Sequence, residues 1–284
     1  MTAEPRPDDA GVPTIGAMAE PAVYHESVGR GEPLVLLHAA VADSRQWDDH
    51  VAAFAERYRV IRYDMQGFGR TPPAAQPVRR ADELYALLRA LEVPRAHLVG
   101  VSNGGATAID FTVLYPTMVG ALIAVAPGLS GFEPADRSVI EAMLEQDELE
   151  QAAVARGDFD AATEISMRTW LAGEGRALED IEPVLRARVA ELTRQAIESS
   201  SKRKPTPQLE PGAGPRLGEI RAPTLVLVGD HEVPFVKATV DYVVTSIPGA
   251  RKYEFANAAH WLNMEHPAQF TRVVLEFLAA HPLE

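Results

Sequence analysis

The residues with chemistry to offer begin at Gly100-Val101-Ser102-Asn103-Gly104-Gly105. This is the G-x-S-x-G pattern, which sets a serine on a sharp strand-to-helix turn with its hydroxyl exposed. Glycines at 100 and 104 remove Cβ atoms that so tight a turn cannot hold. A serine hydroxyl becomes a useful nucleophile when a base takes its proton and N–H donors meet the oxyanion that forms. His260, in Asn257-Ala258-Ala259-His260-Trp261, is the candidate base, because it sits in a loop just beyond the last strand-like run. His97 falls on a strand, and His50, His266 and His281 fall in or beside helical patterns, where packing roles are expected. The orienting acid should come from Gly229-Asp230-His231-Glu232-Val233-Pro234, where Asp230 and Glu232 compete. For the oxyanion, the backbone N–H of Asn103 and one from the loop His38-Ala39-Ala40-Val41-Ala42-Asp43 are the expected donors.

These residues need a scaffold that brings distant loops to one edge. Strand-like runs lie at Ala22–Ser27, Pro33–His38, Tyr58–Tyr63, Ala96–Val101, Ala121–Ala126, Pro223–Val228 and Lys252–Phe255. The interior ones are apolar at both parities, as parallel strands covered on both faces should be. Amphipathic stretches at Ser44–Arg57, Arg79–Leu91, Asn103–Tyr115, Val236–Ser246 and Pro267–Ala279 alternate with them. Right-handed crossovers then predict an α/β fold, a doubly wound and mostly parallel sheet whose site lies at the strands' carboxyl ends.

The alternation breaks once. Residues 129–215 carry only helical patterns and a polar stretch, and are expected to form a helical cap inserted into a core of 21–128 and 216–284. Residues 1–20, rich in Pro, Ala and acids, are expected to be a flexible tail.

Composition narrows the function. The 284 residues hold 40 Asp+Glu, 27 Lys+Arg and no cysteine, for a net charge of −13. Lack of cysteine excludes disulfides, thiolate metal sites and a cysteine nucleophile. The acid excess argues against nucleic acid or an anionic membrane as partner. No apolar run approaches the ~18–20 residues of a membrane span, and no signal peptide is evident, so a cytoplasmic protein is expected. Residues 131–210 hold 17 acids and 10 bases, a balance that disfavours anionic substrates.

Five blocks in order carry a resemblance: LLHAAVADSRQW (36–47), YRVIRYDMQGFGRT (58–71), LVGVSNGGA (98–106), PTLVLVGDHEVP (223–234) and ANAAHWLNMEHP (256–267). From about Val23 onward the chain resembles the α/β-hydrolase family, in the group with a helical cap between the family's sixth and seventh strands. The resemblance implies Ser102 as nucleophile, His260 as general base, and Asn103 and Ala40 as oxyanion-hole donors. It gives Asp64 and Gly67 a structural role. The family's acid loop typically reads Gly-x-x-Asp, and the fourth position here is Glu232; Asp230 is the alternative. His38-Ala39 replaces the usual His-Gly, and Ala259 the usual Gly before the histidine.

The expected function is therefore a metal- and cofactor-independent serine hydrolase. It would act through an acyl-enzyme on an ester, thioester, lactone or related acyl bond of a small, largely apolar molecule. The alternatives are an atypical member of the fold, as perhydrolase, C–C bond hydrolase or biosynthetic cyclase, or a hydrolase-like small-molecule receptor. Candidate pocket residues are Ala39, Met167, Trp170 and Trp261, with Met143, Leu144, Phe159 and Leu171 on the cap.

Overall fold

The computed structural model describes residues 23–200 and 202–283; the tail expected over 1–20 lies outside the described residues. Seven strands form one sheet: β1 (His25–Val28), β2 (Glu32–Leu37), β3 (Tyr58–Tyr63), β4 (Ala96–Val101), β5 (Val119–Val125), β6 (Thr224–Gly229) and β7 (Arg251–Phe255). Their order is β1-β3-β2-β4-β5-β6-β7. The edge strand β1 pairs antiparallel with β3, His25 opposite Tyr63, and every other pairing is parallel.

Every residue of β4, β5 and β6 is buried. Successive side chains of a strand point to opposite faces, so each apolar run feeds two cores. Val35, Leu37, Leu98, Val226 and Val228 join one cluster. Leu34, Leu36, Val99, Leu225 and Leu227 join the other. The first core is covered by α2 (Arg80–Ala90), α3 (Asn103–Leu114) and α7 (Pro234–Ser246), and the second by α1 (Asp48–Ala55) and α9 (Pro267–Ala279). A four-residue helix, α8 (Leu262–Glu265), precedes α9.

Between β5 and β6 lie α4 (Arg137–Ala155), α5 (Phe159–Met167), a π-helical turn at Arg168–Ala172 and α6 (Pro183–Ser200). This is where helical pattern replaced strand pattern in the sequence. Among the described strands the insertion lies between the fifth and the sixth. Ala153, Ala162 and Ile197 give its three long helices a small core of their own.

Candidate active site

Four loops converge at the carboxyl edge of the sheet. The turn between β4 and α3 is the tightest. Ser102 has φ +54° and ψ −113°, a conformation L-residues rarely hold. Crowding at the adjacent glycines explains why the turn survives. A Cβ on Gly100 would sit 2.2 Å from the Gly104 carbonyl oxygen, and one on Gly104 would sit 2.3 Å from that of Leu37. The Ser102 amide donates to Val125 O (2.9 Å), and its carbonyl accepts from Ala106 (2.8 Å) and Gly128 (3.1 Å). The backbone is thus anchored on three sides, while the hydroxyl makes no hydrogen bond among the described residues.

The loop after β7 carries His260, 3% exposed, and the loop after β6 carries Glu232, fully buried. His260 Nδ1–H donates to Glu232 Oε2 at 2.8 Å, leaving Nε2 with its lone pair. The extra methylene of Glu232 is accommodated by folding back: its other oxygen accepts from the amide of Val233 (3.1 Å). Asp230 faces elsewhere, accepting from the amide of Ala258 at 3.1 Å. Its partial burial would raise its pKa, but the amides of Asn257 and Ala258 outweigh this and hold it below the ordinary value. Of the two competing carboxylates, only Glu232 touches the imidazole. No hydrogen bond links Ser102 to His260 among the described residues, and such contacts are often long in unliganded enzymes.

Ala40 and Asn103 line one cavity of about 380 Å³. His38 shapes the loop that carries Ala40. It is fully buried, with Nδ1–H donating to Ala39 O (2.8 Å) and Nε2 accepting from the amide of Met65 (3.1 Å). Burial holds its pKa below the usual histidine value, which keeps the ring neutral and both bonds intact. Asp64 accepts from the amides of Ser44 and Arg70, each at 2.8 Å, and so pins two loops together.

The pocket residues expected from the sequence separate. The Trp170 ring packs on His260, centroids 4.6 Å apart, and the Trp170 carbonyl accepts from the amide of His260 (3.1 Å). Ala39 and Trp261, each 1% exposed, lie in the hydrophobic core instead of lining a described cavity. The Ala39 amide is taken by Gln46 Oε1 (2.9 Å), which turns the residue inward. Met167 is also core and borders an outer cavity beside Arg194. Met143 does face open space, a cavity of about 360 Å³ with Val139, Val233 and Phe235. Leu144 is exposed and Phe159 packs into the core of the insertion.

Sequence reasoning missed Arg176. Its guanidinium reaches Glu265 (2.7 Å) and the carbonyls of Leu171, Ala172 and Asn257, while Glu265 accepts from the amide of Ala259. The insertion is thereby riveted to the loop holding His260. Arg176→Met should strand Glu265 as a buried charge and cost about 3–5 kcal/mol. Thermal or denaturant unfolding checks this, and a loss below ~1 kcal/mol would contradict it.

Sequence reasoning also missed the basic wall of the Ala40–Asn103 cavity, formed by Arg79, Arg80 and Arg203. An overall acid excess says little about the field inside a cavity, which depends on the groups lining it. The one local signal was Lys202-Arg203-Lys204, a basic run in an acidic insertion. Behind the wall, Glu83 is buried, with one carboxylate oxygen unpartnered among the described residues. Burial raises its pKa to about 7 despite the opposing pull of Arg80. A raised carboxyl pKa gives stability that is full below the unfolded value of about 4.3 and lost as pH rises through 7. Glu83→Gln should therefore gain on the wild type by a few kcal/mol between pH 5 and pH 8. Parallel melting-temperature profiles would contradict that.

The sequence model of the alpha/beta hydrolase family matches residues 34–273. The chain belongs to the alpha/beta hydrolase family. Among curated relatives, it is 32% identical to a 2-hydroxy-6-oxononadienedioate/2-hydroxy-6-oxononatrienedioate hydrolase of Burkholderia vietnamiensis, over 90% of each chain. It is 28% identical to a 2-hydroxy-6-oxo-6-phenylhexa-2,4-dienoate hydrolase of Comamonas testosteroni, over 90% of this chain and 91% of that one. Among solved structures, the enol-lactonase from Burkholderia xenovorans LB400 superposes with a TM-score of 0.73 at 21% identity, covering 90% of this chain and 96% of that one. This last likeness concerns the fold. No described helix is long and apolar enough to cross a membrane.

Proposed function

We propose that this alpha/beta hydrolase cleaves a carbon–carbon bond in a small 2-hydroxy-6-oxo-dienoate-type molecule, with Ser102, His260 and Glu232 as its catalytic residues. The observation that carries this reading is the 32% identity, along 90% of the chain, to a hydrolase of that substrate type. In this reading His260 Nε2 takes the Ser102 proton as the hydroxyl attacks the 6-oxo carbonyl. The amides of Asn103 and Ala40 hold the oxyanion, worth about 3–4 kcal/mol per donor. The bond from that carbonyl carbon to C5 then breaks. Cleavage requires that the dienol has first tautomerised, its enol proton passing to C5, so that C5 is a saturated carbon beside a 2-oxo-3-enoate. The released electron pair then delocalises onto the 2-oxo oxygen, which takes up a proton to give a 2-hydroxy-2,4-dienoate, and water releases the acid from Ser102. Glu232 keeps the proton on Nδ1 throughout. Residues 129–215 serve as the cap over the site, with Trp170 against the imidazole.

Hydrolysis of an ester or lactone uses the same attack and the same acyl-enzyme, so slow ester turnover is the expected side reaction. The test is incubation with 2-hydroxy-6-oxo-6-phenylhexa-2,4-dienoate and, separately, phenyl acetate. Loss of the conjugated chromophore with benzoate formation supports carbon–carbon cleavage. Turnover of the ester alone would move the assignment to an esterase.

A further inference from the structure

The insertion meets the loops after β6 and β7 through its backbone. The π-helical turn Arg168–Ala172 ends where the Gly173 amide donates to the Arg168 carbonyl at 3.1 Å. Gly173 then takes φ +66° and ψ −157°, a region open in practice only to glycine. A Cβ there would lie 2.1 Å from the His231 carbonyl oxygen and 2.8 Å from Ala259 Cβ. The residue is therefore wedged between the loop that carries Glu232 and the loop that carries His260.

Hydrogen bonds fasten both loops to this segment. The Glu174 amide donates to His231 O at 2.8 Å, and His231 Nδ1–H donates back to Glu174 O at 2.5 Å. On the other side, the Trp170 carbonyl takes the amide of His260. The two loops are also tied to each other, His231 N–H to Ala258 O at 2.9 Å and Ala258 N–H to Asp230 Oδ1 at 3.1 Å. His231 and Ala259 each immediately precede one member of the Glu232–His260 pair. A shift at either passes through a single peptide unit to the carboxylate or the imidazole, which are joined at 2.8 Å.

We propose that Gly173, Glu174 and His231 form a clasp that sets the separation of Glu232 and His260, with Gly173 and His231 as positioning residues. The inference rests on the catalytic roles proposed for that pair. It adds that the insertion does more than roof the site, because its backbone completes the geometry by which Glu232 holds the imidazole. Activity then depends on how the insertion seats, since lifting residues 170–174 off the core would free both loops at once.

The hydrogen-bonded Nδ1 proton of His260 should give a low-field proton NMR signal in the wild type, assigned by its absence from His260→Ala. Gly173→Ala should remove or broaden that signal. It should also slow fluorophosphonate labelling of Ser102 by about 10²-fold, since a misplacement of about 1 Å can cost that much. His231→Leu loses one hydrogen bond at a partly exposed ring, and should weaken the signal and slow labelling about tenfold. His231→Asn keeps a side-chain N–H near the place of Nδ1–H, and should restore labelling to within about threefold of the wild type. Gly157→Ala is the control, because φ there is +74° but a Cβ would meet nothing within 4 Å, so neither readout should move. If Gly173→Ala does not fold, the two His231 variants decide. An unchanged signal and labelling rate in folded Gly173→Ala and His231→Leu, or equal losses in Gly157→Ala, overturns the clasp. A wild type that shows the signal yet takes no label at Ser102 would remove the hydrolase reading alone, since the signal still reads the clasp.

Discussion

Ser102→Ala is expected to lower turnover by about 10⁴-fold or more while melting within a degree or two of the wild type. The first half follows from the hydroxyl's assigned role, because no other side chain at the turn could carry the acyl group. The second half follows from the geometry. The hydroxyl makes no hydrogen bond among the described residues, so its removal breaks none. The strained φ of +54° is unchanged in alanine, which keeps the same Cβ. His260→Ala should lose activity to a similar degree, and the double variant should be hardly worse than either, since the two act as a unit. Single-turnover kinetics beside a thermal melt check all three. Activity within tenfold of the wild type would place the nucleophile elsewhere.

The second large effect concerns the carboxylate. Glu232→Gln should reduce kcat by about 10³–10⁴-fold, and Asp230→Asn by less than about threefold. A glutamine amide can donate to Nδ1 and so favour the tautomer with its proton on Nε2, which cannot accept from Ser102. Its neutral carbonyl also stabilises an imidazolium less well. Asp230→Asn keeps an oxygen for the amide of Ala258 and leaves the imidazole untouched. Glu232→Asp keeps the charge but loses the methylene that spans to His260, and should fall between the two. Comparing kcat and its pH profile across these variants separates orientation from stability. A large loss in Asp230→Asn with little in Glu232→Gln would reverse the assignment.

Much of this was legible in the chain because the relevant constraints are local. Doubly apolar runs betray buried parallel strands, and β4, β5 and β6 are buried along their whole length. The G-x-S-x-G pattern is readable because only glycine fits where Gly100 and Gly104 meet backbone oxygens. The choice between Asp230 and Glu232 was not legible, since two loops must fold together before either carboxylate finds the imidazole. Ala39 and Trp261 were credited to a pocket because small or aromatic residues near Ser102 and His260 suit one, yet both fill the core. The roles of Arg176 and Arg203 were hidden for a related reason, beyond the basic run that holds Arg203. Each gains its meaning from partners far along the chain, Glu265 for Arg176 and Phe68 for Arg203. The acid excess of residues 131–210 is a sum over many side chains and does not reveal that Arg79, Arg80 and Arg203 line the cavity beside Ala40 and Asn103.

The central claim is that Ser102, activated through His260, is the nucleophile of this hydrolase. Intact-mass analysis after incubation with a fluorophosphonate probe tests it most directly. The expected result is one adduct on the wild type, located to Ser102 by peptide mapping and absent from both Ser102→Ala and His260→Ala. A folded wild type that takes no adduct, or an adduct that persists in Ser102→Ala, would contradict it.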